Sequence, residues 1–147
     1  MSRRLSNGMV KSVFKANFQS LDSIRTFVGQ SAQQAALSDR DVYAVQLAAD
    51  EASTNIIQHA YGGEGNADIE IECEIAPGEL TITFRDQGKS FDPASVPEPN
   101  VKASLENRKI GGLGMYLIRN LVDEVHYGTS EIGGNTLRLV KRAESRS

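Results

Sequence analysis

The sequence predicts an α/β (α+β) domain: a two-layer sandwich in which helices cover one face of a mostly antiparallel, mixed sheet. Three observations predict it. Ile69, Ile71, Cys73 and Ile75 alternate with Glu70, Glu72 and Glu74, and Leu80, Ile82 and Phe84 resume the alternation beyond Pro77-Gly78. That pattern is an antiparallel hairpin with one buried and one wet face. Before and after it, apolar residues recur at helical spacing. The resulting order, β-α-α-β-β-loop-α-β-β, suits a sheet with its helices on one side.

In chain order, Met1 to Gly8 is polar and basic and is expected to be disordered. Val10 to Phe18 reads as a strand, because Val13, Phe14 and Phe18 are strand-forming types ahead of a break at Ser20. Ser20 is the expected N-cap of a helix running to about Ala36, with Leu21, Ile24, Val28 and Ala35 on its apolar side. A second helix begins after Ser38, where Ser38 and Asp41 suit the two ends of a capping box. Val42, Val45, Ala49, Ala52 and Ile56 form its stripe, and Gly62-Gly63 ends it. Beyond the hairpin, Phe91 to Ile110 holds three of the four prolines and few apolar residues. Irregular chain of that length in a small domain is functional or disordered. Gly111-Gly112-Leu113-Gly114 opens a third helix that carries Leu117, Ile118, Leu121 and Val122. Val125 to Ser130 and Asn135 to Val140 are the last strands, around a Gly133-Gly134 turn.

The chain has 147 residues, 39% apolar and 24% charged, with a formal net charge of −3. Residues 1–147 fit one domain, large enough for a real core. No run approaches the ~18 apolar residues that span a bilayer, and no apolar segment follows Arg3-Arg4 as a signal peptide requires. A cytoplasmic protein with no membrane partner is expected. One cysteine, Cys73, excludes an internal disulfide framework and a multi-cysteine metal site. The acidic balance argues against a nucleic-acid partner, even with Arg3, Arg4, Lys11 and Lys15 near the start.

Four places carry candidate chemistry. Glu51 and Asn55 are one helical turn apart and lie beside the apolar stripe. A carboxylate and a carboxamide there suit a proton acceptor and an oxygen ligand for Mg²⁺, although an exposed Glu and Asn are common. Asp86 ends the inward row Leu80, Ile82, Phe84, where a carboxylate needs donors. Gly88, two residues on, leaves room for a flat ligand near the backbone; a plain Asp-x-Gly turn is the alternative. Lys109-Ile110-Gly111-Gly112-Leu113-Gly114 leads into a helix whose N–H groups can seat phosphate, with Arg108 nearby; a simple glycine-rich helix entry is the alternative. It is neither a Walker A loop nor a dinucleotide fingerprint. Asn135 shares a face with Leu137 and Leu139 and can face a ligand or serve the turn. His59 has no clustered second ligand, so a packing or hydrogen-bonding role is expected. Cys73 falls on an apolar strand face and is expected to be inert core.

In combination and in order, these pieces resemble the GHKL ATPase superfamily, which has a histidine-kinase-like ATPase fold. The resemblance is closer to its short branch of anti-sigma factors that are serine-protein kinases in bacterial partner-switching systems. Asp50-Glu51-Ala52-Ser53-Thr54-Asn55-Ile56-Ile57-Gln58-His59-Ala60-Tyr61 looks like that branch's first box, Asp86-x-Gly88 its second, and Gly111-Gly112-Leu113-Gly114-Met115-Tyr116-Leu117-Ile118 its last. The likeness covers about residues 9 to 141.

The resemblance implies roles at the matching positions. Glu51 is the general base, Asn55 a ligand of Mg²⁺, and Asp86 the acceptor for the adenine amino group of ATP, with Gly88 shaping that pocket. Lys109, Gly111, Gly112, Leu113 and Gly114 surround the phosphates under an ATP lid at residues 92–110. Asn135 stands where the superfamily often has Thr. The implied function is Mg-ATP-dependent phosphorylation of a serine on an anti-anti-sigma protein, switching a sigma factor between held and released. A homodimer is implied as well. The alternative is a regulatory module that sequesters a sigma factor or another partner without kinase activity.

Overall fold

The computed structural model describes residues 3–4, 8–89, 112–129 and 133–143. The elements are β1 Arg3–Arg4, β2 Met9–Lys15, α1 Leu21–Gln34, α2 Asp39–Asn55, β3 Asp68–Ala76, β4 Glu79–Asp86, α3 Gly112–Leu121, β5 Glu124–Thr129 and β6 Asn135–Arg142. A single wide π turn, Ile56–Ala60, extends α2.

The strands form one sheet in the order β1-β2-β3-β4-β6-β5, and every neighbouring pair is antiparallel. The expected α+β sandwich is present, but among the described residues the sheet is not mixed. The reason is topological. The chain returns through α3 to lay down β5 in the same direction as β4, and β6 then inserts between them. The two parallel-running strands therefore never touch. Arg3–Arg4, within the segment expected to be disordered, pairs with Lys11 and Val10.

Alternation sets the sheet's two faces. Ile69, Ile71, Cys73, Leu80, Ile82, Phe84, Leu137 and Leu139 are buried, as are Ile24, Val28, Val45, Ala49 and Ala52 of the helices that cover them. A slip of one residue in any strand would turn this apolar set out to solvent, so the register is strongly specified. The opposite face is charged: Lys11 pairs with Glu70 at 2.9 Å, Lys15 with Asp68 at 3.0 Å, and Arg85 with Glu70 at 3.1 Å and Glu72 at 3.3 Å. Such part-exposed pairs each contribute about 0–1 kcal/mol, so the inner face carries most of the stability.

Helix ends follow local hydrogen bonding. Ser38 caps α2 as expected, its hydroxyl accepting from the Asp41 N–H at 3.2 Å. Ser20 does not cap α1. Its backbone is already helical and its side chain makes no cap bond. Asn17 caps a short 3₁₀ turn, Phe18–Ser20, that runs straight into α1; its Oδ1 accepts from the Ser20 N–H at 3.1 Å. β2 ends at Lys15 rather than Phe18, because Asn17 and the 3₁₀ turn Phe18–Ser20 take over the backbone; the Ala16 N–H makes the last in-register bond, to the Ala67 carbonyl at 2.8 Å. No helix among the described residues is long and apolar enough to cross a membrane.

Candidate active site

The C-terminal end of α2 meets the C-terminal end of β4. Glu51 is half-buried on α2. Burial pushes its carboxyl above the ordinary value, and the neighbouring Asp50 carboxylate pushes it further the same way. Asp50 is itself raised by burial, against the pull of the Arg25 guanidinium, whose Nη1 lies 3.2 Å from its Oδ2. Asn55, one turn beyond Glu51, is only 3% exposed. Neither its Oδ1 nor its Nδ2 has a hydrogen-bond partner among the described residues. A buried polar atom left unpaired costs about 1–3 kcal/mol, so a side chain with both ends orphaned calls for an explanation.

Asp86 closes β4 opposite Asn135 of β6 and is 4% exposed. Its Oδ1 accepts from the Gly88 N–H at 2.9 Å and from Asn135 Nδ2 at 2.9 Å. Burial raises its carboxyl above the ordinary range, and these two donors oppose the rise. A carboxylate has about four acceptor sites, so two bonds leave it capacity for a further donor.

Asn135, read from the sequence as facing a ligand or serving the turn, makes its side-chain hydrogen bonds inside the protein. It is 4% exposed and committed within the protein. Nδ2 donates to Asp86 Oδ1 and, at 3.0 Å, to the Lys89 carbonyl, while Oδ1 accepts from the Tyr127 hydroxyl at 2.7 Å. Gly88 differs from its expected role. The close approach expected of a flat ligand is made by the protein's own backbone: a Cβ added at Gly88 would lie 2.5 Å from the Ala60 carbonyl oxygen. The neighbouring Lys89 N–H donates to that same oxygen at 2.6 Å. Gly88 thus seats the end of β4 on the π turn of α2. Tyr61 reinforces the joint, its hydroxyl accepting from the Gln87 N–H at 2.8 Å and donating to the Asp68 carbonyl at 2.6 Å.

Of the glycine-rich stretch, Gly112, Leu113 and Gly114 lie in the first turn of α3, which packs on α2 and carries the fully buried Ile118. Lys109, Gly111, Arg108 and the lid at 92–110 lie outside the described residues. His59 is exposed, and no His, Cys, Asp and Glu cluster among the described residues could hold a metal. Cys73 is buried, its thiol pushed up by burial to about 12, which fits inert core.

Sequence reasoning missed Tyr61 and Tyr127. A signal for Tyr127 exists. A hairpin around Gly133-Gly134 with Thr129 opposite Asn135 sets Tyr127 opposite Leu137. Tyr127 is then the diagonal, same-face neighbour of Asn135, about 7–8 Å away and within reach of an aromatic side chain.

Residues 14–141 match the histidine kinase-like ATPase domain. The chain belongs to that family. A serine-protein kinase RsbW from Listeria innocua is 34% identical over 98 residues, 64% of this chain and 62% of the relative. Another, from Bacillus licheniformis, is 35% identical over 113 residues, 70% of this chain and 67% of the relative. The chain thus spans about three fifths of the Listeria relative's length. Among solved structures, that of the RsbU and RsbW domains of Rv1364c from Mycobacterium tuberculosis superposes with a TM-score of 0.63 at 16% identity. The match covers 91% of this chain and 31% of that one, and it shows the shared fold. Within the histidine kinase-like ATPase family the chain is RsbW-like.

Proposed function

We propose that the chain binds Mg-ATP between α2, the ends of β4 and β6, and the glycine-rich entry to α3, and that it phosphorylates a serine of an anti-anti-sigma protein. The observation that carries this reading is Asn55. Its Oδ1 is buried on the Glu51 face without a partner, a poor arrangement for stability and a good one for a hard cation. Mg²⁺ needs only one or two protein oxygens, because phosphates and waters complete its octahedron. When bound, it would neutralise charge on the phosphate oxygens.

The chain's own groups do the rest. Asp86 accepts a hydrogen bond from the adenine amino group with its remaining lone pairs. Glu51 takes the proton from the attacking serine hydroxyl as that oxygen bonds to the γ-phosphorus and the bond to the β-phosphate oxygen breaks, releasing ADP. Its raised carboxyl makes it a stronger base than an exposed glutamate. Backbone N–H groups at the start of α3 face phosphate, with Lys109 and Gly111 leading into them and residues 92–110 as the lid. The names of the relatives support the kinase reading. On this reading the protein is a homodimer that holds a sigma factor or the unphosphorylated partner in turn.

The test is transfer of label from γ-³²P-ATP to an anti-anti-sigma protein. Wild type transfers; Glu51→Ala loses at least about 100-fold, as removal of a general base does. Tight ATP binding without transfer by wild type would favour the module without kinase activity.

A further inference from the structure

Asn135 is an amide with opposite polarity at its two ends, and its setting allows one orientation only. Asp86 Oδ1 and the Lys89 carbonyl are both acceptors, at 2.9 Å and 3.0 Å, so Nδ2 must face them. Oδ1 then points the other way into a site that is 4% exposed and needs a donor there. Tyr127 is that donor, at 2.7 Å. It reaches Asn135 because β5 and β6 pair Tyr127 with Leu137, one diagonal step away. Its ring packs against the core, so the hydroxyl is held at a fixed height above β6.

We infer that Tyr127 is a positioning residue that sets which purine the site accepts, acting through Asn135 on Asp86. The inference rests on the ATP-binding reading above. A carboxylate held in one orientation accepts from the six-amino group of adenine. It meets hypoxanthine, whose six-position is a carbonyl oxygen, acceptor against acceptor. Sites built this way discriminate strongly, because the wrong ligand leaves a buried group unpaired. Without the tyrosine hydroxyl, Asn135 Oδ1 is buried with no donor. Turning the amide to relieve it would aim an oxygen at Asp86. Either way Asp86 Oδ1 is left with the Gly88 N–H as its one firm donor, the carboxylate is held less rigidly, and the preference for adenine weakens.

The test compares ATP with inosine triphosphate by calorimetric titration, using wild type, Tyr127→Phe, Asn135→Ala and the double variant. Wild type should prefer ATP. Tyr127→Phe keeps the ring and should lower the ATP-to-inosine-triphosphate affinity ratio about five- to tenfold, the size of one hydrogen bond. In the Asn135→Ala background the same change should leave the ratio unmoved, because the tyrosine acts only through Asn135. A merely structural role would weaken both nucleotides alike and leave the ratio constant; that result overturns the inference. A ratio that falls equally in both backgrounds also overturns it. If Tyr127→Phe does not fold, the Asn135→Ala ratio decides: equal to wild type, it removes the relay. Wild type that binds neither nucleotide overturns the ATP reading as well, so the two failures are distinguishable.

Discussion

At the residue scale, the site is a set of polar groups held where the free protein gains little from them. Asn55 is the clearest case, with both amide atoms buried and unpaired. Asn55→Leu keeps the branched side-chain skeleton, with bulkier methyl groups, and removes two orphaned polar atoms. It should raise resistance to urea by about 1–2 kcal/mol while abolishing magnesium-dependent ATP binding; equal or lower stability would show that the amide has a partner after all. Glu51 gives a pH prediction. The Asp50 carboxylate is the second cause of its raised carboxyl. Asp50→Asn should therefore move the acid limb of the phosphotransfer rate to lower pH, read from a pH–rate profile. Asp86 gives a linkage prediction. Its folded carboxyl is raised above its ordinary 3.8, so the folded state holds that proton to higher pH than the unfolded chain does. Its contribution to stability is complete below 3.8 and is lost as pH rises through the folded value. Asp86→Asn should remove that part of the slope in urea midpoints measured across the acid range.

Periodicity places side chains on a face but does not set their long-range contacts. The placements of Glu51 and Asn55 on one helical face and of Asp86 at the inward end of a strand follow from periodicity alone, and the structure has them so. What Gly88 and Asn135 touch does not follow, because it depends on long-range contacts. Gly88 meets Ala60 from another element, and Asn135 is turned inward by Tyr127 and Lys89.

At the element scale, the joint between α2 and β4 ties together the two halves of the proposed site. Gly88 permits it, since any Cβ would collide with the Ala60 carbonyl. Gly88→Ala should cost about 1–3 kcal/mol of stability in urea unfolding and also weaken ATP binding; a neutral effect on both would mean that the joint can open without consequence. A second element-level strain lies between α1 and α2. Ala36 is exposed and has φ +61°, in the left-handed region. Ala36→Gly should raise stability by about 0.5–1 kcal/mol, because relief of the left-handed penalty exceeds the added chain entropy. Thermal unfolding checks it, and a fall in midpoint would contradict it. Helix starts were partly legible: Ser38 caps as its spacing implies, whereas Ser20 is displaced by the Asn17 turn. An N-cap residue type favours a cap, but the preceding backbone decides whether it is used.

At the scale of the whole molecule, two layers with one apolar sheet face were readable from alternation and helical spacing, since burial forces both patterns. The fully antiparallel pairing was not, because strand order depends on where β6 inserts after β5. That insertion has a functional consequence. It brings Asn135 beside Asp86, so two segments 49 residues apart in sequence share one hydrogen bond. The domain thus gathers one end of α2, β4 and β6 at a common edge, and that edge is where we propose that nucleotide binds. Calorimetric titration of the protein with ATP, with and without Mg²⁺, beside Asp86→Ala, tests this most directly. Binding should strengthen with Mg²⁺ and be lost in Asp86→Ala; no binding by wild type, or undiminished binding by the variant, would contradict nucleotide binding at this edge.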